Sequence, residues 1–202
     1  MAQPRPIRLI LASASPARRE LLGRLGLSFE VLPANIDEPT DFHDPRTEVQ
    51  AVSWLKAAAV AGRIDEGLIL AADSIGWLDG EAIHKPADEA DARRILRELA
   101  GREHELWTGV VLWRRPDGLQ VAWQECSRVA FAPLGDAELD RYLATRSWRG
   151  HSGAYAIREQ DDPYVRVVSG SVSNVIGLPL ESVLEHLPLL GLTVRPPSGS
   201  GR

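Results

Sequence analysis

Cysteine is nearly missing from this chain of 202 residues. With Cys126 as its one thiol, no intrachain disulfide and no cysteine-built zinc site can form. Apolar runs are short: none approaches the roughly 20 residues that a membrane helix needs. Residues 1–8 lack the apolar core of a secretory signal, so a cytoplasmic protein without a membrane partner is expected. Basic charge is not in excess either. Lys and Arg number 23 against 28 Asp and Glu, a formal charge of -5, which removes the electrostatic case for a stable nucleic-acid complex. Neither an internal repeat nor a Pro/Gly linker interrupts the middle, so residues 1–195 read as one domain, followed by a Pro-Ser-Gly tail, 196–202, expected to be disordered. A Gly-Lys-Ser/Thr phosphate loop is also absent.

What is present alternates between strand and helix patterns. Ile7 to Ala12 reads as a buried strand, and Ser15-Pro16 as the N-cap and first position of a helix with Leu21, Leu22 and Leu25 on its buried stripe, closed near Gly26. Leu27 to Leu32 reads as a strand, and Asp44-Pro45 opens a helix to about Ala61. Leu68 to Ala72 is an apolar run stopped at Asp73; Ser74 to Leu78 continues extended, Asp79-Gly80 is a hairpin-type turn, and Glu81 to His84 returns. Asp88 to Ala100 is an amphipathic helix, His104 to Trp113 and Leu119 to Phe131 are long strands, and Asp136 to Thr145 is a helix. A polar loop spans Arg149 to Asp162, before a strand at Tyr164 to Val168 and a last helix from Pro179 to Leu187. The class is α/β, with a sheet carrying a partly antiparallel extension.

Five places could carry chemistry, each with a plainer alternative. Ser13-Ala14-Ser15-Pro16-Ala17-Arg18-Arg19 leads from a strand into a helix, where free N–H groups and the positive dipole end suit an oxyanion. Two arginines in that first turn oppose the dipole, a conflict that a bound phosphate would relieve; the plainer reading is a capped, solvated turn. Asp73 ends a buried run, well placed to bind a metal or deprotonate water, or else to satisfy a turn. Lys56 shares a helix face with Val49, Val52 and Ala59, either pairing with a partner or snorkelling to solvent. Lys85 before Pro86 is a positioned cation or an edge residue, and Asp37-Glu38 reads first as loop charge. Together they make a phosphate cradle, three cations and two carboxylate positions, the set that phosphoryl chemistry uses. Six tryptophans read mainly as core, with a base pocket as the alternative.

In order along the chain, Leu11-Ala12-Ser13-Ala14-Ser15-Pro16-Ala17-Arg18-Arg19-Glu20-Leu21-Leu22, Ile36-Asp37-Glu38, Lys56-Ala57, Ala72-Asp73-Ser74, Gly80-Glu81, Lys85-Pro86, Ser152-Gly153-Ala154-Tyr155 and Val175-Ile176-Gly177-Leu178-Pro179-Leu180 resemble the Maf family of nucleoside triphosphate pyrophosphatases over about residues 7–190. The resemblance implies a Maf/Ham1 (ITPase-like) fold, a mixed sheet with two lobes around a central cleft, often in a homodimer. It implies hydrolysis of nucleoside triphosphates, non-canonical ones included, to monophosphate and pyrophosphate with Mg²⁺ or Mn²⁺. Carried over by position, Asp73 is the proton acceptor and with Glu38 a metal carboxylate, while Ser13, Ser15, Arg18, Lys56 and Lys85 hold the phosphates.

Base specificity is where the sequence departs from the family's branches. The dTTP/UTP branch carries Arg, Thr and Gln, and the 7-methyl-GTP branch Trp, Gln and Glu, where this chain has Ala17, Ser74 and Arg158. Ser74 and Gly153-Ala154-Tyr155 lean to the first branch, Ala17 to neither, so a broader or different base preference is expected. A non-catalytic nucleotide- or nucleic-acid-binding regulator of cell division is the alternative, as is a phosphatase releasing orthophosphate. The retained carboxylate and cations favour the pyrophosphatase over the regulator.

Overall fold

The structure, a computed structural model, describes residues 7–39, 42–157 and 162–194. Arg158 and the 196–202 tail lie outside the described residues. One mixed sheet of seven strands organises the chain, in the order β2-β1-β3-β5-β6-β7 with β4 added to β3. The strands are β1 (Leu9–Leu11), β2 (Phe29–Val31), β3 (Gly67–Leu78), β4 (Glu81–Ile83), β5 (Glu103–Arg115), β6 (Gln120–Phe131) and β7 (Val165–Ser169). Helices α1 (Pro16–Gly23), α2 (Pro45–Ala61), α3 (Glu89–Leu99), α4 (Asp136–Ala144), α5 (Val172–Ile176) and α6 (Leu180–His186) cover it. β1 runs parallel to β2 and β3, whereas β3, β5, β6 and β7 form an antiparallel ribbon.

Alternation along β3 sorts its side chains between two layers, as the period of two requires. Leu68, Leu70 and Ala72 pack with Leu9, Leu22 and Val183 under α1 and α6. Ile69 and Ala71 pack with Ala57 and Val60 of α2 on the other face. A third core lies further along the ribbon, where Leu96, Leu99, Phe131, Leu139 and Tyr155 meet.

In keeping with the extended reading of Ser74 to Leu78, the strand does not end with its apolar run at Asp73. β3 runs through it to Leu78, because β5 pairs with it from Gly67 to Trp77 along one whole edge. The other edge is shared: β1 takes Leu68 to Leu70, and β4 takes Gly76 to Leu78. Ala71 to Ile75 is left between them with no strand on that side, and a cleft opens there. Asp79 (φ 52) and Gly80 (φ 90) make the anticipated hairpin turn. α1 ends at Gly23, three residues before Gly26, which follows in a left-handed conformation (φ 67). α5 has no counterpart in the sequence reading; at five residues it is too short to show a helical period.

Candidate active site

The cleft has a volume of about 670 Å³, in the range of sites that enclose a small ligand. Ser15, Ala17 and Arg18 of the α1 end form one wall. Lys85, His151 and Tyr155 form the other, and Glu38, Lys56, Asp73 and Ser74 lie between. Residues as far apart as 15 and 177 thus meet at the gap in the β3 edge.

Asp73 and Ser74 are adjacent, so their side chains leave β3 on opposite faces. Asp73 follows Ile69 and Ala71 toward α2, where Lys56 Nζ donates to its Oδ1 at 2.7 Å. The same ammonium lies 2.7 Å from Glu38 Oε1. Lys56 is 11% exposed and Asp73 13%, so this pair is shielded from solvent far more than a surface salt bridge. The snorkelling alternative for Lys56 is therefore set aside, and Glu38, first read as loop charge, belongs to the cluster. Ala59, placed on the same helix face by spacing, is only half-buried; Ala57 and Val60 carry the packing.

Ser74 turns toward α1. Its Oγ accepts from Arg18 Nη2 at 3.0 Å and shares a 2.9 Å hydrogen bond with Thr108 Oγ1. Arg18 Nε donates to the Gly177 carbonyl at 2.8 Å, and Nη1 reaches Ser13 Oγ at 3.4 Å. These bonds explain how a cation sits in the first turn of a helix: α5's C-terminal carbonyl and two hydroxyls hold it. Burial pushes the Arg18 pKa down while Asp73 and Glu38 pull it up, and a guanidinium stays charged through such a balance. Gly177 adopts φ 125, which presents its carbonyl to Arg18 and favours glycine.

Ser15 caps α1, accepting from Arg18 N at 3.4 Å. Ser13 is 8% exposed, and its Oγ accepts the Ser15 N–H at 3.2 Å. Ser13 thus braces the loop from beneath, while Ser15 and Ala17 face the cleft. None of the six tryptophans lines the cleft; Trp148 is buried in the core, and Trp113 and Trp123 pack against it half-buried.

Two groups went unnoticed in the sequence. His151 faces the cleft, and burial together with nearby Lys85 lowers its pKa below the usual histidine value. His104 is buried behind Tyr155, with 2.7 Å between its Nε2 and the Tyr155 hydroxyl. Burial lowers the His104 pKa to about 4 and raises that of Tyr155. A folded-state value below the unfolded 6.5 means that the unfolded chain takes up this proton first. His104 should therefore subtract nothing above pH 6.5 and up to about 3 kcal/mol of stability as pH falls from 6.5 to 4. Urea unfolding at pH 7 and pH 4.5 tests this. His104→Gln should show a shallower fall than the parent, and equal slopes would reject it.

The family described as Maf-like protein matches residues 8–189. A dTTP/UTP pyrophosphatase from Anaeromyxobacter dehalogenans (strain 2CP-C) is 48% identical over 176 residues, covering 86% of this chain and 89% of that protein. Another dTTP/UTP pyrophosphatase, from Pelotomaculum thermopropionicum, is 39% identical over 188 residues, 92% of this chain and 98% of its own length. Among solved structures, the Staphylococcus aureus Ham1 protein is similar with a TM-score of 0.45 and 17% identity over 62% of this chain and 72% of that one.

Proposed function

The chain belongs to the Maf family, and from that premise we propose that it hydrolyses nucleoside triphosphates to the monophosphate and pyrophosphate. The carrying observation is the Asp73–Lys56–Glu38 cluster at the unpaired stretch of β3, facing the α1 loop across the cleft. Its relatives named dTTP/UTP pyrophosphatases support the same reaction. Residues 1–195 are read as one catalytic domain, since a single sheet serves all three cores. A cytoplasmic homodimer belongs to the same reading; within the described residues no helix is long and apolar enough to cross a membrane.

In this reading the triphosphate lies along the cleft, its charge met by Ser15 and the α1 N-terminus on one side and by Lys56 and Lys85 on the other. Arg18 holds the α1 loop against Gly177 and Ser74 and adds a fixed positive charge. Asp73 uses Oδ1 for Lys56, and no described residue bonds its Oδ2. Oδ2 takes a proton from water as the water oxygen bonds to the α-phosphorus. The bond from that phosphorus to the α–β bridging oxygen breaks, and pyrophosphate leaves with the electron pair.

A divalent cation fits this donor set. Asp73 and Glu38 already converge on one cationic atom, and Mg²⁺ is commonly held by one or two carboxylates plus substrate phosphates. Bound there, Mg²⁺ or Mn²⁺ would neutralise charge on the phosphates. Ala17 offers neither a guanidinium nor a ring to the base, so discrimination between bases is expected to be broad, with Ser74 and Arg158 as the other specificity positions.

One assay tests the reaction. In H₂¹⁸O with Mg²⁺ or Mn²⁺, a panel including dTTP, UTP and 7-methyl-GTP should yield pyrophosphate and a monophosphate carrying the label. Orthophosphate as the first product would overturn the assignment, and sharp selectivity for 7-methyl-GTP would overturn the expected base preference.

A further inference from the structure

One buried charge beside the site takes no part in the steps above. Glu48 is 7% exposed, and within the described residues its carboxylate has neither a hydrogen bond nor an ion pair. Its place is set by backbone packing. Gly109 lies directly across from Asp73 in the β3–β5 ladder. α2 rests on that glycine so closely that an added Cβ would run into the Val49 carbonyl and lie 2.8 Å from Gln50 N. The helical turn carrying Glu48 therefore lies over the strand pair that carries Asp73. Burial, and the charges of Asp73 and Glu38, push the Glu48 pKa above the usual carboxylate range.

Burying a carboxylate with no partner opposes folding, and the opposition is removed when a cation comes near. The local charges show what is missing. Of the three carboxylates Glu38, Glu48 and Asp73, two interact with Lys56 and Arg18, whereas the charges that act on Glu48 are those of the other two acids. Glu48 is the one of the three that no described cation contacts. Direct ligation by all three acids does not fit, because no three such groups among the described residues converge tightly enough to hold an ion. Mg²⁺ keeps several of its waters when bound, and those waters can reach a carboxylate beyond the direct ligands.

We propose that Glu48 is a positioning residue for the divalent cation, acting on it through the ion's water shell from behind the Asp73–Glu38 pair. This rests on the cation site described above. A carboxylate so placed would add to the negative charge around Asp73 and Glu38 and would favour a divalent ion over the Lys56 ammonium between them.

The test is Mn²⁺ binding followed by the electron paramagnetic resonance of free Mn²⁺, with an α,β-methylene triphosphate analogue present. Glu48→Gln should weaken Mn²⁺ binding about 10-fold or more, as removal of an outer-shell partner does. Glu48→Asp should recover much of the loss. Analogue binding in EDTA should be unchanged, and the melting temperature of Glu48→Gln should equal or exceed the parent's, since a largely shielded charge without a partner has been removed. Equal Mn²⁺ affinity in parent and Glu48→Gln would overturn the proposal, and so would a loss accompanied by a lowered melting temperature. A parent protein that binds no Mn²⁺ would instead overturn the cation site itself, leaving nothing for Glu48 to position.

Discussion

Asp73→Asn should lower kcat by about 10³-fold or more, with KM changed far less. Loss of a general base commonly accounts for roughly 10² to 10⁴ in rate, and here the same change also weakens a carboxylate proposed to hold the cation. Asparagine keeps the size of the side chain and an oxygen for Lys56, which now donates to Oδ1 at 2.7 Å. The fold should therefore survive, and far-ultraviolet circular dichroism should match the parent. Steady-state kinetics with a pyrophosphate-specific readout measures the effect. A kcat within a few-fold of the parent would remove Asp73 from the chemistry and leave the cluster as a structural ion pair.

Gly109→Ala should be among the most destabilising single substitutions in the chain. A methyl group there meets the backbone of Val49 and Gln50, not the movable end of a side chain. Relief requires α2 to lift from β5, and α2 is the layer that covers Ile69, Ala71 and Val111. Overpacking of a core commonly destabilises by about 1 to 3 kcal/mol, and a backbone obstruction belongs at or above the upper end. Lifting α2 also withdraws Lys56 from Asp73 and Glu38, so activity should fall further than stability alone explains. Chemical denaturation combined with the pyrophosphate assay separates the two effects. Unchanged stability would show that the contact between α2 and β5 yields without strain.

The parts of the fold that were legible in the sequence are those governed by neighbours along the chain. Ser15-Pro16 and Asp44-Pro45 mark helix starts because a capping oxygen and a proline with fixed φ act within three residues, and both caps are present. Asp79-Gly80 marks a hairpin for the same local reason. The extended course of Ser74 to Leu78 was legible, but the unbroken pairing of β3 through Asp73 was not. Whether a strand continues past a carboxylate depends on whether another strand bonds to it, and β5 arrives more than 30 residues later.

The site divides in the same way. Lys56 and Asp73 stood out as charges at the border of apolar patterns, but nothing nearby in sequence says that they meet. Glu38 looked like loop charge because its partner is on α2. Arg18 was noticed for its conflict with the helix dipole, while the groups that resolve it, Ser74 and Gly177, are 56 and 159 residues away. Glu48 gave no signal, since an acidic residue in the first turn of a helix is favourable on local grounds.

The two strands that share one edge of β3 have a mechanical consequence. β3, β5 and β6 run without a break past the cleft, tied to one another by residue pairs on both sides of Asp73. The cleft is a notch cut in one side of a beam that runs continuously beneath both of its walls. Closing its walls by swinging them together would bend that beam and break its ladder. The segments on the rim, around Glu38 on one side and from Arg149 to Ile157 on the other, stand outside that ladder, whereas the carboxylate at the bottom of the notch is part of it.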